Sequence, residues 1–364
     1  MSSKRSPNFS AGPSALPEPV LSRIQGELLN WCDTGASVME VSHRSKTFIE
    51  MAQQMEKDLR ELLDIPAHYK VLFLQGGGTL QFSQLPMNLK GKARVADYID
   101  TGYWSRRALS AARQYLDVNI AGSVDSTLDQ KSLPREIDWR VSSKPAYLHY
   151  TANETIDGLE FHWVPKIQTD IPLVADFSAN ILSGPLDVTR FGLIYAGAQK
   201  NIGPSGMTLV IMREDLFGLT HSCCPDILNY EVLAKNNSMF NTPTTFSWYT
   251  AALVFQWIKS LGGLSVLRDR NIRKKDILYG LIDSTGFYIN DVVPADRSHM
   301  NVTFRIADPR LDELFLNGAA QRGFLGLKGH RAKGGIRASI YNAVSEESVR
   351  QLADYMTEFE RYHG

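Results

Sequence analysis

PLVADFSANILSGPLDVTRFGLIYAGAQKNIGPSGMTLVIM, residues 172–212, holds three apolar runs separated by turn residues. The first, LVADF, carries Asp176 at its end. The second, FGLIYAGA, delivers Lys200 into a glycine- and proline-rich turn, and the third, MTLVIM, leads away from it. Short apolar runs bounded in this way read as strands buried on both faces. The acid and the amine then share the carboxyl edge of one sheet, where open α/β folds bind their ligands. The plainer alternative is a helix-capping aspartate and a surface lysine on a hairpin. Against it, an unpaired acid closes an apolar strand, and the small residues Gly197 and Ala198 leave room beside Lys200.

The flanking sequence repeats the strand-and-helix alternation. KVLFL (70–74) runs into Gly76, Gly77 and Gly78 and then into LQFSQLPMNL, a strand, glycine turn and helix. ARVADYID (93–100) and PAYLHY (145–150) supply further strands, and SRRALSAARQYL (105–116) suits a helix. Amphipathic helices are predicted over 19–29 and 45–63, and a strongly apolar one over 245–261. Such alternation predicts a mainly parallel sheet covered by helices, an α/β unit over residues 17–260. Past Gly262 and Gly263 the order becomes helix, MNVTFRI, helix, GIRASIY and a terminal helix, which predicts a smaller α+β unit over 261–364.

Composition narrows the function. A chain of 364 residues, 43% hydrophobic, can bury a large core. Lysine plus arginine balances aspartate plus glutamate at 39 each, so no overall field draws nucleic acid or an anionic membrane. No apolar run approaches the roughly 20 residues of a membrane span, and MSSKRSPNFSAGP has no signal-peptide core. A cytoplasmic location is expected. Cys32, Cys223 and Cys224 are odd in number and lack metal-ligand spacing, so neither a disulfide framework nor a metal site is expected.

An amine and a buried acid on one sheet edge are what pyridoxal 5'-phosphate requires. The lysine binds its aldehyde covalently, and the carboxylate keeps its ring nitrogen protonated. Lys200 and Asp176 are the candidates. Gly76, Gly77, Gly78 and Thr79, where a strand feeds a helix, would turn successive backbone N–H groups toward its phosphate. The run lacks both the Lys-Ser/Thr of a nucleotide-binding loop and the glycine spacing of a dinucleotide site, which disfavours ATP and NAD.

Together with NFSAGPSALP (8–17), SVMEVSHRSK (37–46), NETIDG (153–158), MFNTPTTFSWY (239–249) and KGHRAKGGIRASIYNA (328–343), the 172–212 segment resembles the phosphoserine aminotransferases. They are a class V, fold-type I family of pyridoxal phosphate enzymes, and the resemblance covers essentially the whole chain. It implies that residues 1–16 join the smaller unit. It also implies that Gly78 and Thr79 bind the cofactor phosphate, Trp104 covers the ring, Thr155 contacts the ring hydroxyl, and Gln199 precedes the lysine. Asn241 and Thr242 would reach the phosphate from the neighbouring subunit of a homodimer. Arg337 would hold the substrate carboxylate, with His43, Arg44, His330 and Arg331 around the substrate phosphate. The implied reaction moves the amino group of L-glutamate to 3-phosphohydroxypyruvate, and some members also act on the 4-phosphohydroxythreonine couple of pyridoxine biosynthesis.

Read locally, these residues leave other roles open. Trp104 in DTGYWS is expected in a loop, where it could stack on a flat cofactor. Thr155 could simply shape a turn before Gly158, Asn241 and Thr242 could cap a helix, and a His-Arg pair can be solvated surface. A phosphorylated keto acid carries about −1.5 to −2 charge on its phosphate, and gathered arginines and histidines in a neutral chain would suit it. Rival readings are a class V enzyme acting on another small acid such as glyoxylate, a cysteine desulfurase using Cys223 or Cys224, and a non-catalytic binding homologue.

Overall fold

The computed structural model describes residues 5–125, 127, 129–167 and 170–364. The first four residues of the arm expected to join the smaller unit lie outside them. Helices α1 (Glu18–Glu27) and α2 (Lys46–Leu63) precede β1 (Tyr69–Gln75), α3 (Gly77–Leu89), β2 (Val95–Asp100), α4 (Tyr103–Ala112), β3 (Asp117–Ser123) and β4 (Leu148–Thr151). A small hairpin, β5 (Asn153–Glu154) and β6 (Leu159–Glu160), leads to β7 (Leu173–Asp176), β8 (Leu193–Gly197) and β9 (Met207–Arg213). Helices α5 (Tyr230–Lys235), α6 (Thr245–Ser260) and α7 (Leu264–Ser284) follow. The chain ends with β10 (Tyr288–Ile289), β11 (Asn301–Ile306), α8 (Asp312–Gln321), β12 (Ile336–Ser339) and α9 (Glu346–His363).

The three runs of residues 172–212 become β7, β8 and β9 at the heart of a seven-stranded sheet ordered β1-β9-β8-β7-β4-β2-β3. Only β9 runs against its neighbours, and the other pairings are parallel, so the sheet is mainly parallel as expected. Every residue of β7 and of β8 is buried, which is why these strands read as continuous apolar runs. The edge strand β3 escapes such a reading because most of its side chains are partly or fully exposed.

Helix α2 begins where the sequence predicts. Ser45 Oγ accepts from the Phe48 N–H at 3.3 Å, and Phe48, Ala52, Met55, Leu59 and Leu63 form its buried stripe. A second, three-stranded antiparallel sheet (β10-β11-β12) has its own apolar core, in which Leu278, Val302, Phe315 and Met356 pack with Phe9 from the N-terminal arm. Helix α7 serves both cores, with Leu264 and Leu267 in the large one and Leu278 and Ile282 in the small one. Among the described residues no single helix is long and apolar enough to cross a membrane.

Candidate active site

Asp176 ends β7 and Lys200 stands three residues past the end of β8, so the parallel pairing of these strands puts both at one sheet edge. They line a cavity of about 410 Å³ with Gly78, Thr79, Trp104, Thr155 and Gln199. Asp176 is buried, and its Oδ1 accepts from the Ser178 N–H at 2.8 Å. Burial pushes its carboxyl up from the ordinary range, against the opposing pull of the Ser178 bonds and the Lys200 charge. A cationic N–H arriving in the cavity would favour the carboxylate. Lys200 Nζ donates to Thr155 Oγ1 at 2.5 Å, and Thr155 sits in the turn between β5 and β6.

The N-terminal arm holds the lysine turn from outside the sheet. The Ser14 N–H donates to the Gln199 carbonyl at 2.9 Å, and Ser14 Oγ donates to the Lys200 carbonyl at 2.5 Å. This places Gly12 and Pro13 on the cavity wall.

The glycine run forms the first turn of α3. Gly76 (φ +97°) and Gly77 (φ +66°) take left-handed conformations, and no side chain caps the helix start. A Cβ on Gly78 would stand 3.1 Å from Ser178 Oγ. The backbone amides of this turn therefore remain for an anion, aided by the helix dipole.

Trp104 corrects the loop expectation, since it lies in the first turn of α4. The Trp104 and Ser105 N–H groups donate to Glu154 Oε2 and Oε1 at 3.0 and 2.8 Å. Glu154 is buried, and burial pushes its carboxyl up to about 7. A side chain 50 positions away thus starts the helix, which explains why the local sequence reads as loop. Trp104 Nε1 and Thr151 Oγ1 are buried without partners and belong to residues that line the cavity. Orphaned donors, a left-handed glycine cradle and an acid awaiting a cation together fit a flat, phosphorylated heterocycle such as pyridoxal phosphate.

The basic residues fall into separate places. His330 and Arg337 line a second cavity of about 270 Å³ with Lys333, while Arg331 is exposed. Arg337 extends from β12 opposite Thr303. Its Nε is buried without a partner, and burial pulls the guanidinium below its usual range. The His330 ring lies 5.2 Å from Tyr103, whose ring lies 5.2 Å from Trp104, so this segment touches the start of α4. His43 and Arg44, in the loop before α2, line neither cavity. Asn241 and Thr242 are also exposed and outside both, although the Thr242 carbonyl accepts from Gln75 Nε2 at 2.9 Å. One chain therefore assembles the lysine cavity and leaves these four residues apart from it.

Sequence reasoning missed Gly12, Pro13, Ser178 and Lys333. The motifs NFSAGPSALP and KGHRAKGG contain three of them, but nothing local marks a proline or a small residue as cavity wall.

Residues 7–352 match the family model described as aminotransferase class-V. A phosphoserine aminotransferase of Pseudomonas aeruginosa (strain LESB58) is 56% identical over 362 residues, covering 100% of both chains. Among solved structures, phosphoserine aminotransferase from Bacillus circulans subsp. alkalophilus superposes with a TM-score of 0.96 at 44% identity, covering 100% of each chain. The PLP-bound phosphoserine aminotransferase from Trichomonas vaginalis does so with a TM-score of 0.92 at 39% identity, over 97% of this chain and 100% of that one.

Proposed function

The chain belongs to the class V aminotransferases, and from that membership we propose that it carries out the phosphoserine aminotransferase reaction of serine biosynthesis. L-Glutamate gives its amino group to 3-phosphohydroxypyruvate, yielding O-phospho-L-serine and 2-oxoglutarate. The observation that carries this reading is the pairing of Lys200 with buried Asp176 across one cavity, beside a second cavity lined by His330, Lys333 and Arg337. The cofactor is pyridoxal 5'-phosphate, which supplies an electron sink for negative charge at the substrate α-carbon.

Asp176 would hold a proton on the ring nitrogen, the cation and the carboxylate favouring each other's charged form. The amides of Gly78 and Thr79 would hold the phosphate, Trp104 would cover the ring, and Thr155 would meet the ring hydroxyl. Gln199 would flank the covalent lysine. Once substrate has displaced it, the Lys200 amine is the tethered base that moves the α-carbon proton. Arg337, whose Nε lacks a partner, would take the substrate carboxylate, and His330 and Arg331 the distal phosphate. His43 and Arg44 would complete that phosphate site, and Asn241 and Thr242 the cofactor phosphate site, across the two-fold of a homodimer. Their separation from the lysine cavity within one chain supports this arrangement. The 4-phosphohydroxythreonine couple would fit the same pocket. We place the reaction in the cytoplasm, where the three free cysteines would remain reduced.

An absorbance spectrum of the purified protein, followed by addition of phosphoserine or glutamate, tests the reading. A visible chromophore that shifts with both amino acids is expected, and a colourless protein or one blind to phosphoserine would overturn it.

A further inference from the structure

At the end of the hairpin that carries Thr155, Glu160, His162 and His299 face one another on the wall of a third cavity of about 370 Å³. Each offers a ligand atom, and the three atoms lie within 4.8 Å of one another. We propose that these side chains form a binding site for one divalent d-block cation of the zinc class per chain.

Two imidazoles and one carboxylate are a donor set that zinc-like ions favour, whereas magnesium and calcium prefer oxygen throughout. Glu160 and His162 are already oriented by neighbours. Glu160 is buried, and its Oε1 accepts from Asn180 Nδ2 at 3.1 Å while Oε2 accepts from the His299 N–H at 2.6 Å. A carboxylate offers about four acceptor positions, so lone pairs remain. His162 Nε2 lies 3.0 Å from the Arg297 carbonyl. A carbonyl can only accept, so Nε2 carries the proton and Nδ1 keeps the lone pair, the second-nitrogen arrangement common to metal-binding histidines.

The rings of His162 and His299 are 4.2 Å apart at 29°. Bonds of about 2.0–2.1 Å require the ligand atoms to draw in to roughly 3.3 Å. His162 is exposed, so turning its ring toward His299 supplies that contraction without disturbing the core. A bound cation would tie the end of β6 to the segment that enters β11, a link already begun by the His299 N–H donating to Glu160 Oε2.

Calorimetric titration of chelator-treated holoenzyme with Zn²⁺ provides the test, with His162→Gln, His299→Gln and Cys223→Ser as variants. The last addresses the exposed pair in which His221 Nδ1 and Cys223 Sγ are 2.8 Å apart. One saturable site per chain is expected, unmatched by Mg²⁺, weakened at least about tenfold in each histidine variant and unchanged in Cys223→Ser. His162 is on the surface, so its variant tests the site in a folded protein. Absence of a saturable site, undiminished binding in both histidine variants, or loss only in Cys223→Ser would overturn the proposal.

Discussion

At the scale of single residues, Lys200 and Asp176 were legible because each stands at the end of an apolar run, where a charged side chain has no packing role. Borohydride reduction of the holoenzyme should leave its label on the Lys200 peptide, and Lys200→Ala should lose turnover while retaining cofactor through the α3 amides. A label mapped to another lysine would remove Lys200 from its role. In Asp176→Asn the charge that favours a protonated ring nitrogen is gone, so kcat should fall by orders of magnitude. Near-normal turnover would show that another group pairs with the ring. The substrate side separates by kcat/KM for phosphoserine, glutamate and alanine. Losing a charged hydrogen bond costs about 1.5–3 kcal/mol, so Arg331→Ala should lose roughly tenfold to a hundredfold on phosphoserine and almost nothing on alanine. Arg337→Ala should weaken all three, and an equal loss in Arg331→Ala would remove its phosphate role. Ser14 was not legible, because the Gln199 and Lys200 carbonyls it binds lie far along the chain and meet it only after folding.

At the scale of elements, legibility follows where the stabilising partner lies. Helix α2 carries its own signal, a serine cap followed by a buried stripe at helical spacing. Helix α4 carries only part of one, since its body reads as helix over 105–116 while its start depends on Glu154 of the hairpin, and two-residue strands such as β5 and β6 show no period to read. Glu154 also makes this junction sensitive to pH. Its folded value of about 7 lies above the ordinary 4.5, so the folded chain binds more protons between those limits. The stabilising contribution is complete below about 4.5 and is lost as pH rises through about 7. The melting temperature of the wild type should therefore fall relative to Glu154→Gln across that window, and parallel curves would show that Glu154 titrates elsewhere. The glycine turn before α3 is equally confined. A Cβ at Gly76 would meet Leu80 Cδ2 at 2.4 Å and Cβ at 2.8 Å, at φ +97°. Gly76→Ala should cost on the order of 1–3 kcal/mol in denaturant unfolding and weaken cofactor retention, and an unchanged midpoint would contradict the strain.

Across the whole molecule, the α/β layering was legible from alternating periods, whereas the reversed strand β9 and the sharing of α7 between two cores depend on packing that no local pattern encodes. If Asn241 and Thr242 complete a neighbour's cofactor site, mixing inactive Lys200→Ala with an inactive Asn241→Ala/Thr242→Ala double variant should regenerate some activity after subunit exchange. Verified exchange with no recovery would confine each site to one chain. The arm that clamps Lys200 also fixes an order of events during synthesis. Its residues leave the ribosome before their partners do, since Phe9 pairs its backbone with Leu325 and Ser339, and Ser14 binds a turn 186 positions later. Translation at about 5–20 residues per second separates these partners by tens of seconds. The stretch around Phe9 must wait for its partners until the second sheet exists, so a nascent chain can assemble β7 and β8 well before its arm is fully anchored against the lysine cavity.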